Sequence, residues 1–252
     1  MEPMKILLPP SETKRPGGLD RPLEIAALAL PSLAPQREAL VDALVALSED
    51  RALARRVLKL SERQAQDVEH NRMLRTAPTM AAVDRYTGVL YDALDALNLD
   101  RAARRWLGAH ALIHSAPFGP IGALDRIPAY RLAAGTSLPG FPSLRRHWAE
   151  ATGGALAQSG FLLDLRSEAY VALGPIPASV PSAYVRIVTA TGRALNHFNK
   201  KAKGELVRAL AETRPRIGSR ASLLRWAQDS GVRLRSGDRS SDCGELELVV
   251  AE

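Results

Sequence analysis

Ile6-Leu7-Leu8-Pro9-Pro10-Ser11-Glu12-Thr13-Lys14-Arg15-Pro16-Gly17-Gly18 holds the argument for the fold in one stretch. Three consecutive apolar residues stopped by two prolines read as a short buried strand. The next residues read as a polar loop held open by Pro and Gly. The pairing of apolar run and polar exit recurs along the chain. Ala111-Leu112-Ile113-His114 runs into Ser115-Ala116-Pro117-Phe118-Gly119-Pro120, a loop rich in turn residues. Phe161-Leu162-Leu163-Asp164-Leu165 runs into Arg166 and Ser167. Residues 184–190 alternate as a half-buried strand should, and Glu245-Leu246-Glu247-Leu248-Val249-Val250 reads as a further strand.

Between these strands the period changes to that of a helix. Residues 36–48 repeat Leu, Val and Ala at helical spacing, residues 51–60 and 62–75 continue with dense Arg, and Pro78 ends the block. The pattern predicts one helix over residues 81–97 that carries Arg85-Tyr86-Thr87-Gly88. Asp100 is placed to cap a short helix through Leu107, and Ser143 one that runs to about Ser159. Residues 167–173 suggest a helical turn, residues 196–212 an amphipathic basic helix, and residues 220–229 another. The alternation predicts a mixed α/β (α+β) fold, a central sheet flanked by helices with a helical block inserted early. With no linker or repeat in view, a single domain over residues 1–252 is expected, and residues 36–109 form at most a helical subdomain within it.

The chain of 252 residues carries 34 basic and 27 acidic residues, a net charge of +7. That balance favours anionic partners such as nucleic acid or nucleotides; the plainer reading is arginines that solvate helix faces. Aromatic residues make up 5%, too few for an extended base-stacking platform. The single cysteine, Cys243, excludes an internal disulfide, no Cys/His spacing suits zinc, and the adjacent Asp242 disfavours a reactive thiolate. His110 and His114 are four apart on strand-like backbone, which puts them about 13 Å from one another. No metal and no cofactor are therefore expected. No apolar run reaches the ~18 residues of a membrane span and no secretory segment is visible, so the expectation is a cytoplasmic monomer with no membrane contact.

Five polar clusters lie mostly beside the strand ends, where open α/β sheets bind ligands. Ser11 and Lys14 could hold a phosphate or carboxylate, or simply solvate a loop. Tyr86-Thr87-Gly88 puts a glycine inside a helical pattern at a cost of about 1 kcal/mol, which points to a close backbone approach or a helix break. Ser115 is followed by Arg126, Tyr130 and Arg131, a fork for an anion or a pair of surface arginines. Asp164 and Ser167 read as a strand-end carboxylate and a helix cap, with ligand-binding and structural roles both open. Lys200, Lys201, Lys203 and Gly204 form a basic helix, with Lys200 and Lys203 on one face.

In their order these clusters resemble the YaaA family of peroxide stress proteins, also called UPF0246 or DUF328. Leu8-Pro9-Pro10-Ser11-Glu12-Thr13-Lys14 is similar to the family's strand–Ser/Pro–Lys–Thr opening, and Arg85-Tyr86-Thr87-Gly88-Val89 to its Val-Tyr-x-Gly-Leu segment. Ser115-Ala116-Pro117-Phe118-Gly119 with Pro128-Ala129-Tyr130-Arg131-Leu132 resembles its Ser-Gly-Leu-Tyr-Gly and Pro-Tyr-Arg-Leu block. Asp164-Leu165-Arg166-Ser167-Glu168-Ala169-Tyr170 and Phe198-Asn199-Lys200-Lys201-Ala202-Lys203-Gly204 complete the series. The compact Ser-Pro-Ala-Lys spelling is missing, and Pro120 follows Gly119, which marks a diverged branch. The resemblance implies protection of the cell, especially its DNA, under peroxide stress, a positively charged cleft, and DNA binding through a helix-hairpin-helix-like element. Residues 200–204 are the segment that would supply it.

The partner can be read in two ways. In the first, Lys200, Lys201 and Lys203, with Arg193 and Arg208, contact the phosphates of DNA without reading bases. In the second, the protein is an enzyme for a nucleotide, nucleoside or other small anion. Lys14, Arg126 and Arg131 then clamp the anion, while Lys14, Tyr86, Ser115 and Asp164 are the catalytic candidates.

Overall fold

Ile6, Leu7 and Leu8 have no solvent exposure, which a strand achieves only with neighbours along both edges and layers on both faces. The computed structural model describes residues 3–191, 199–237 and 244–250. Its strands in chain order are β1 (Lys5–Leu8), β2 (Met80–Ala81), β3 (Ala111–Ser115), β4 (Gly119–Gly122), β5 (Arg126–Ile127), β6 (Leu162–Asp164), β7 (Ser182–Thr189), β8 (Leu234–Ser236) and β9 (Glu245–Val250). The main sheet has the order β4-β3-β1-β6-β7-β9-β8. Five strands run parallel and the two edges, β4 and β8, antiparallel. The expected mixed α/β fold around a central sheet is what the chain adopts.

From β1 the chain moves to β3 on one side, and then returns to β6 on the other, before continuing outward to β7. The order therefore reverses between β1 and β6. A crevice opens beyond the carboxyl ends of strands at such a reversal. The loops that leave β1 and β6 are the polar exits noted in the sequence.

The helices are α1 (Ala34–Glu49), α2 (Arg51–Val57), α3 (Asp67–Arg72), α4 (Ala82–Arg85), α5 (Val89–Leu94), α6 (Arg101–His110), α7 (Leu144–Leu156), α8 (Glu168–Leu173), α9 (Asn199–Thr213) and α10 (Arg220–Asp229). Asp100 caps α6 by accepting from the Ala103 amide at 2.7 Å, and Ser143 caps α7 by accepting from the Arg146 amide at 3.3 Å. Leu40, Leu90 and Leu107 of the early helical block share one apolar cluster with Leu163 of the sheet and Leu206 of α9. Among the described residues no helix is long and apolar enough to cross a membrane.

Three expectations need correction. Residues 81–97 are not one helix. Tyr86 is extended, Gly88 sits at φ +98°, and α4 and α5 are separate. The break is imposed by pairing with a distant segment: the Arg15 amide donates to Arg85 O at 2.8 Å and the Thr87 amide to Thr13 O at 3.2 Å. The loop read at Ser115–Pro120 is shorter than expected: residues 116–118 are the turn of a tight hairpin, with Gly119 opposite Ser115 and Pro120 opposite His114. Pro120 is tolerated because β4 is an edge strand. Arg37 of α1, fully buried, donates to Phe118 O and Pro120 O at 2.9 Å each, which satisfies carbonyls that no further strand reaches. Ser167 stands at the start of α8, but its side chain makes no capping bond.

Gly204 locks α9 against α5. A Cβ placed there would run into Leu90 O and lie 2.9 Å from Ala93 Cβ. Helix propensity alone predicts that Gly204→Ala stabilises by about 1 kcal/mol. The clash is with backbone, so the opposite sign is expected: a loss of about 1–3 kcal/mol from overpacking, read as a lower midpoint in chemical denaturation.

Candidate functional site

The crevice at the strand reversal is a cleft of about 960 Å³. Residues 9–13 after β1, residues 87–91 at the α4–α5 break, residues 132–135, Leu165 and residues 167–170 after β6, and residues 184–187 of β7 form its walls, and Asn199, Lys200 and Lys203 enter from α9. Its volume falls in the range of small-molecule sites.

One wall is a hydroxyl cluster. Thr87 Oγ1 donates to Thr13 Oγ1 at 3.0 Å, and Ser11 Oγ lies 3.3 Å from the same atom. Gly88 supplies the backbone conformation needed where the two segments meet, φ +98°, which L residues rarely adopt. The α9 part of the lining is basic. Lys200 is exposed at the cleft, and Lys203 is 4% exposed with Nζ donating to Leu165 O at 2.9 Å. Burial lowers the Lys203 pKa to about 8, with nearby Asp164 opposing the shift. Arg186 also lines the cleft but is engaged by Glu245 at 2.8 Å.

Beneath this floor lies a buried network. Arg166, fully buried, makes a two-point contact with Asp164 at 2.9 and 2.7 Å, and donates through Nη1 to His114 Nδ1 at 2.9 Å and to Gly174 O at 2.8 Å. Burial, with Arg166 adjacent, pushes the His114 pKa well down. Neutral His114 thus accepts at Nδ1 and carries its proton on Nε2.

Lys14 occupies the far side of the loop after β1. Its Nζ donates to Ser11 O at 3.0 Å and Glu12 O at 3.2 Å and lies 3.9 Å from the centre of the Tyr130 ring. Burial first, and Arg131 next, lower its pKa to about 7. Attraction to the ring favours the charged form, but at about 2 kcal/mol or less it offsets only part of a shift of that size.

The residues singled out in the sequence divide accordingly. Ser11, Ser167, Lys200 and Lys203 meet at the cleft. Lys14, Tyr130 and Arg131 meet at a smaller pocket that shares Glu12 and Thr13 with it. Arg126 joins neither: its guanidinium bonds to Thr79 Oγ1 at 3.2 Å and to Thr79 O, so it does not complete a fork with Arg131. Tyr86, Ser115 and Asp164 are buried and line neither pocket. Tyr130 OH instead links Tyr86 OH at 2.8 Å to Ser115 Oγ at 3.1 Å, and Asp164 is taken up by Arg166. Lys201 faces outward beside Glu205 at 3.6 Å, and Gly204 faces α5. Arg208 is committed to Asp95 and Glu212. Arg193 and Cys243 lie outside the described residues. Arg166, Glu168 and Tyr170 stand within the Asp164–Tyr170 cluster noted in the sequence but have no role assigned to them there, and Tyr184 reads only as part of a strand; Glu168, Tyr170 and Tyr184 line the cleft.

Residues 4–232 match the family described as peroxide stress protein YaaA. The chain belongs to the YaaA family. A UPF0246 protein of Corynebacterium efficiens is 45% identical over 98% of this chain and 100% of its own length. UPF0246 proteins of Corynebacterium glutamicum and Streptomyces coelicolor are 41% and 40% identical, over 98% and 92% of this chain and 100% and 92% of their own lengths.

In this YaaA-family chain the buried lysine sets a pH dependence with a definite sign. An unfolded lysine holds its proton to about pH 10.5 and folded Lys203 only to about 8, so the unfolded state binds more protons between those values and stability rises with pH there. Wild type should gain on the order of 3 kcal/mol from this group between pH 7 and pH 11. Lys203→Met should lack that rise when the two denaturation profiles are compared, even if the loss of the bond to Leu165 O lowers both ends of its curve.

Proposed function

We propose that the protein serves the response to peroxide stress by binding a phosphate-bearing ligand, a nucleotide or nucleic acid, in the cleft between β1 and β6. The observation that carries this reading is that the Ser11–Thr13–Thr87 hydroxyl cluster and Lys200 and Lys203 line one and the same space of about 960 Å³. Hydroxyls and ammonium groups are the donors that phosphate oxygens accept from. The cleft also holds Glu12 and Glu168, so its positive character is local to the α9 wall. Tyr170 and Tyr184 offer apolar ring surface beside the lysines.

The enzyme reading draws on a separate feature, the Lys14 ammonium held by two backbone carbonyls and the Tyr130 ring, whose burial lowers its pKa to about 7. With Tyr86, Ser115 and Asp164 walled off, proton transfer in the cleft itself would fall to Glu168, Tyr170 or Lys203.

A salt series with a labelled DNA duplex and with a nucleoside triphosphate tests the binding reading. Lys200→Ala should weaken binding several-fold and reduce the salt slope by about one, while Lys201→Ala should leave a cleft ligand almost unaffected. Equal losses in both variants, for the duplex alone, would move the contact to the outer face of α9. Failure of wild type to bind either probe at low salt would end the proposal.

A further inference from the structure

The small pocket on the far side of the β1 exit loop has a volume of about 210 Å³ and is lined by Lys14, Arg131, Tyr130, His70 and Asp67. Among the described residues Lys14 makes no ion pair. Its ammonium is held by two backbone carbonyls and the Tyr130 face. Arg131 is occupied only by Glu12, at 3.6 Å, whose side chain is 78% exposed. An exposed contact of that length contributes little and exchanges readily for another carboxylate. An amine facing a pocket beside a lightly held guanidinium is an arrangement for a small molecule that carries both a carbonyl and a carboxylate. Arg131 supplies the planar fork that matches the carboxylate.

We infer that Lys14 is an imine-forming residue, and that its pocket takes a small 2-oxo carboxylate with the carboxylate on Arg131. The Nζ lone pair adds to the carbonyl carbon, and the carbonyl oxygen takes up a proton to give the carbinolamine. That oxygen then leaves as water, both hydrogens of the amine having been given up, and a C=N bond joins Lys14 to the ligand. No oxidant or reductant is required. His70 and Asp67 on the pocket wall are the groups placed to carry the protons. Desolvation and the neighbouring Arg131 favour the neutral amine that the addition needs. The site is distinct from the cleft of the proposed function and does not depend on it.

The test is reductive trapping on the full chain. Wild type is incubated near pH 7.5 with glyoxylate or pyruvate and a mild borohydride, and the modified lysines are mapped by peptide mass spectrometry. Lys14 should be modified on the order of a hundredfold faster than the exposed Lys200 and Lys201, because ordinary lysines are almost wholly protonated at that pH. Beyond that baseline, the carboxylate should count: Arg131→Met should cut the preference for Lys14 several-fold, and in wild type the ethyl ester of the same acid should show a preference several-fold smaller than the acid does. Because Lys14 is compared with other lysines in one folded wild-type sample, the result does not rest on the stability of a variant. Labelling spread over the exposed lysines with Lys14 spared, or Lys14 labelled equally by acid and ester, would overturn the assignment.

Discussion

Arg166 has no exposure, and burial of a guanidinium costs several kcal/mol unless its donors are matched. Here they are matched from four directions: Asp164 on its own strand exit, His114 at the end of β3, and the carbonyls of Tyr170 within α8 and Gly174 just after it. Lys203 of α9 then donates to Leu165 O directly beside the pair. One side chain thus ties together the elements that form the floor of the cleft. A hydrophobic replacement could pack in the same space, but it would leave Asp164 of β6, His114 of β3 and the Tyr170 and Gly174 carbonyls without the partner they share. The ion pair's contribution is to geometry more than to net stability.

That geometry explains why the two flanks of the cleft differ in chemistry. On the β1 side the walls are brought together by backbone pairing between residues 13–15 and residues 85–87, which leaves hydroxyls facing inward. On the β6 side they are brought together by buried charge, which leaves Lys203 partly starved of solvent. Only the second arrangement is unfavourable in itself: glycine adopts the positive φ of residue 88 at little cost, whereas the ammonium of Lys203 is desolvated. A region selected for stability alone would not carry a desolvated ammonium.

Much of this architecture is legible in the residues. The burial of β1 is written in the run Ile6-Leu7-Leu8, the strand at residues 184–189 in its alternation, and the α6 and α7 starts in Asp100 and Ser143, because each of these signals is local. The illegible parts depend on partners far along the chain. Tyr86 and Gly88 look helical until Thr13 and Arg15 pair with their segment. Phe118-Gly119-Pro120 looks like a loop until Arg37 takes its carbonyls. Arg126 and Arg131 look like one fork, yet β5 turns Arg126 toward Thr79 while Arg131 faces the small pocket. The spacing of Lys200 and Lys203 does place both at the cleft, but no local signal shows that one is exposed and the other buried.

The loop at residues 11–14 has a further consequence because it is a wall with two sides. Glu12 and Thr13 border both the cleft and the small pocket, while Ser11 faces only the first and Lys14 only the second. Thr13 Oγ1 is within reach of Ser11 and Thr87 on the cleft side, and the Lys14 ammonium holds the Ser11 and Glu12 carbonyls from the other. A ligand that draws on the hydroxyls pulls the same short segment that positions the lysine, and a ligand that releases Glu12 from Arg131 changes the charge at the rim of both spaces. Were both spaces to take ligands, the element shared between them would be these four residues of chain, and any coupling would run through them without a long path.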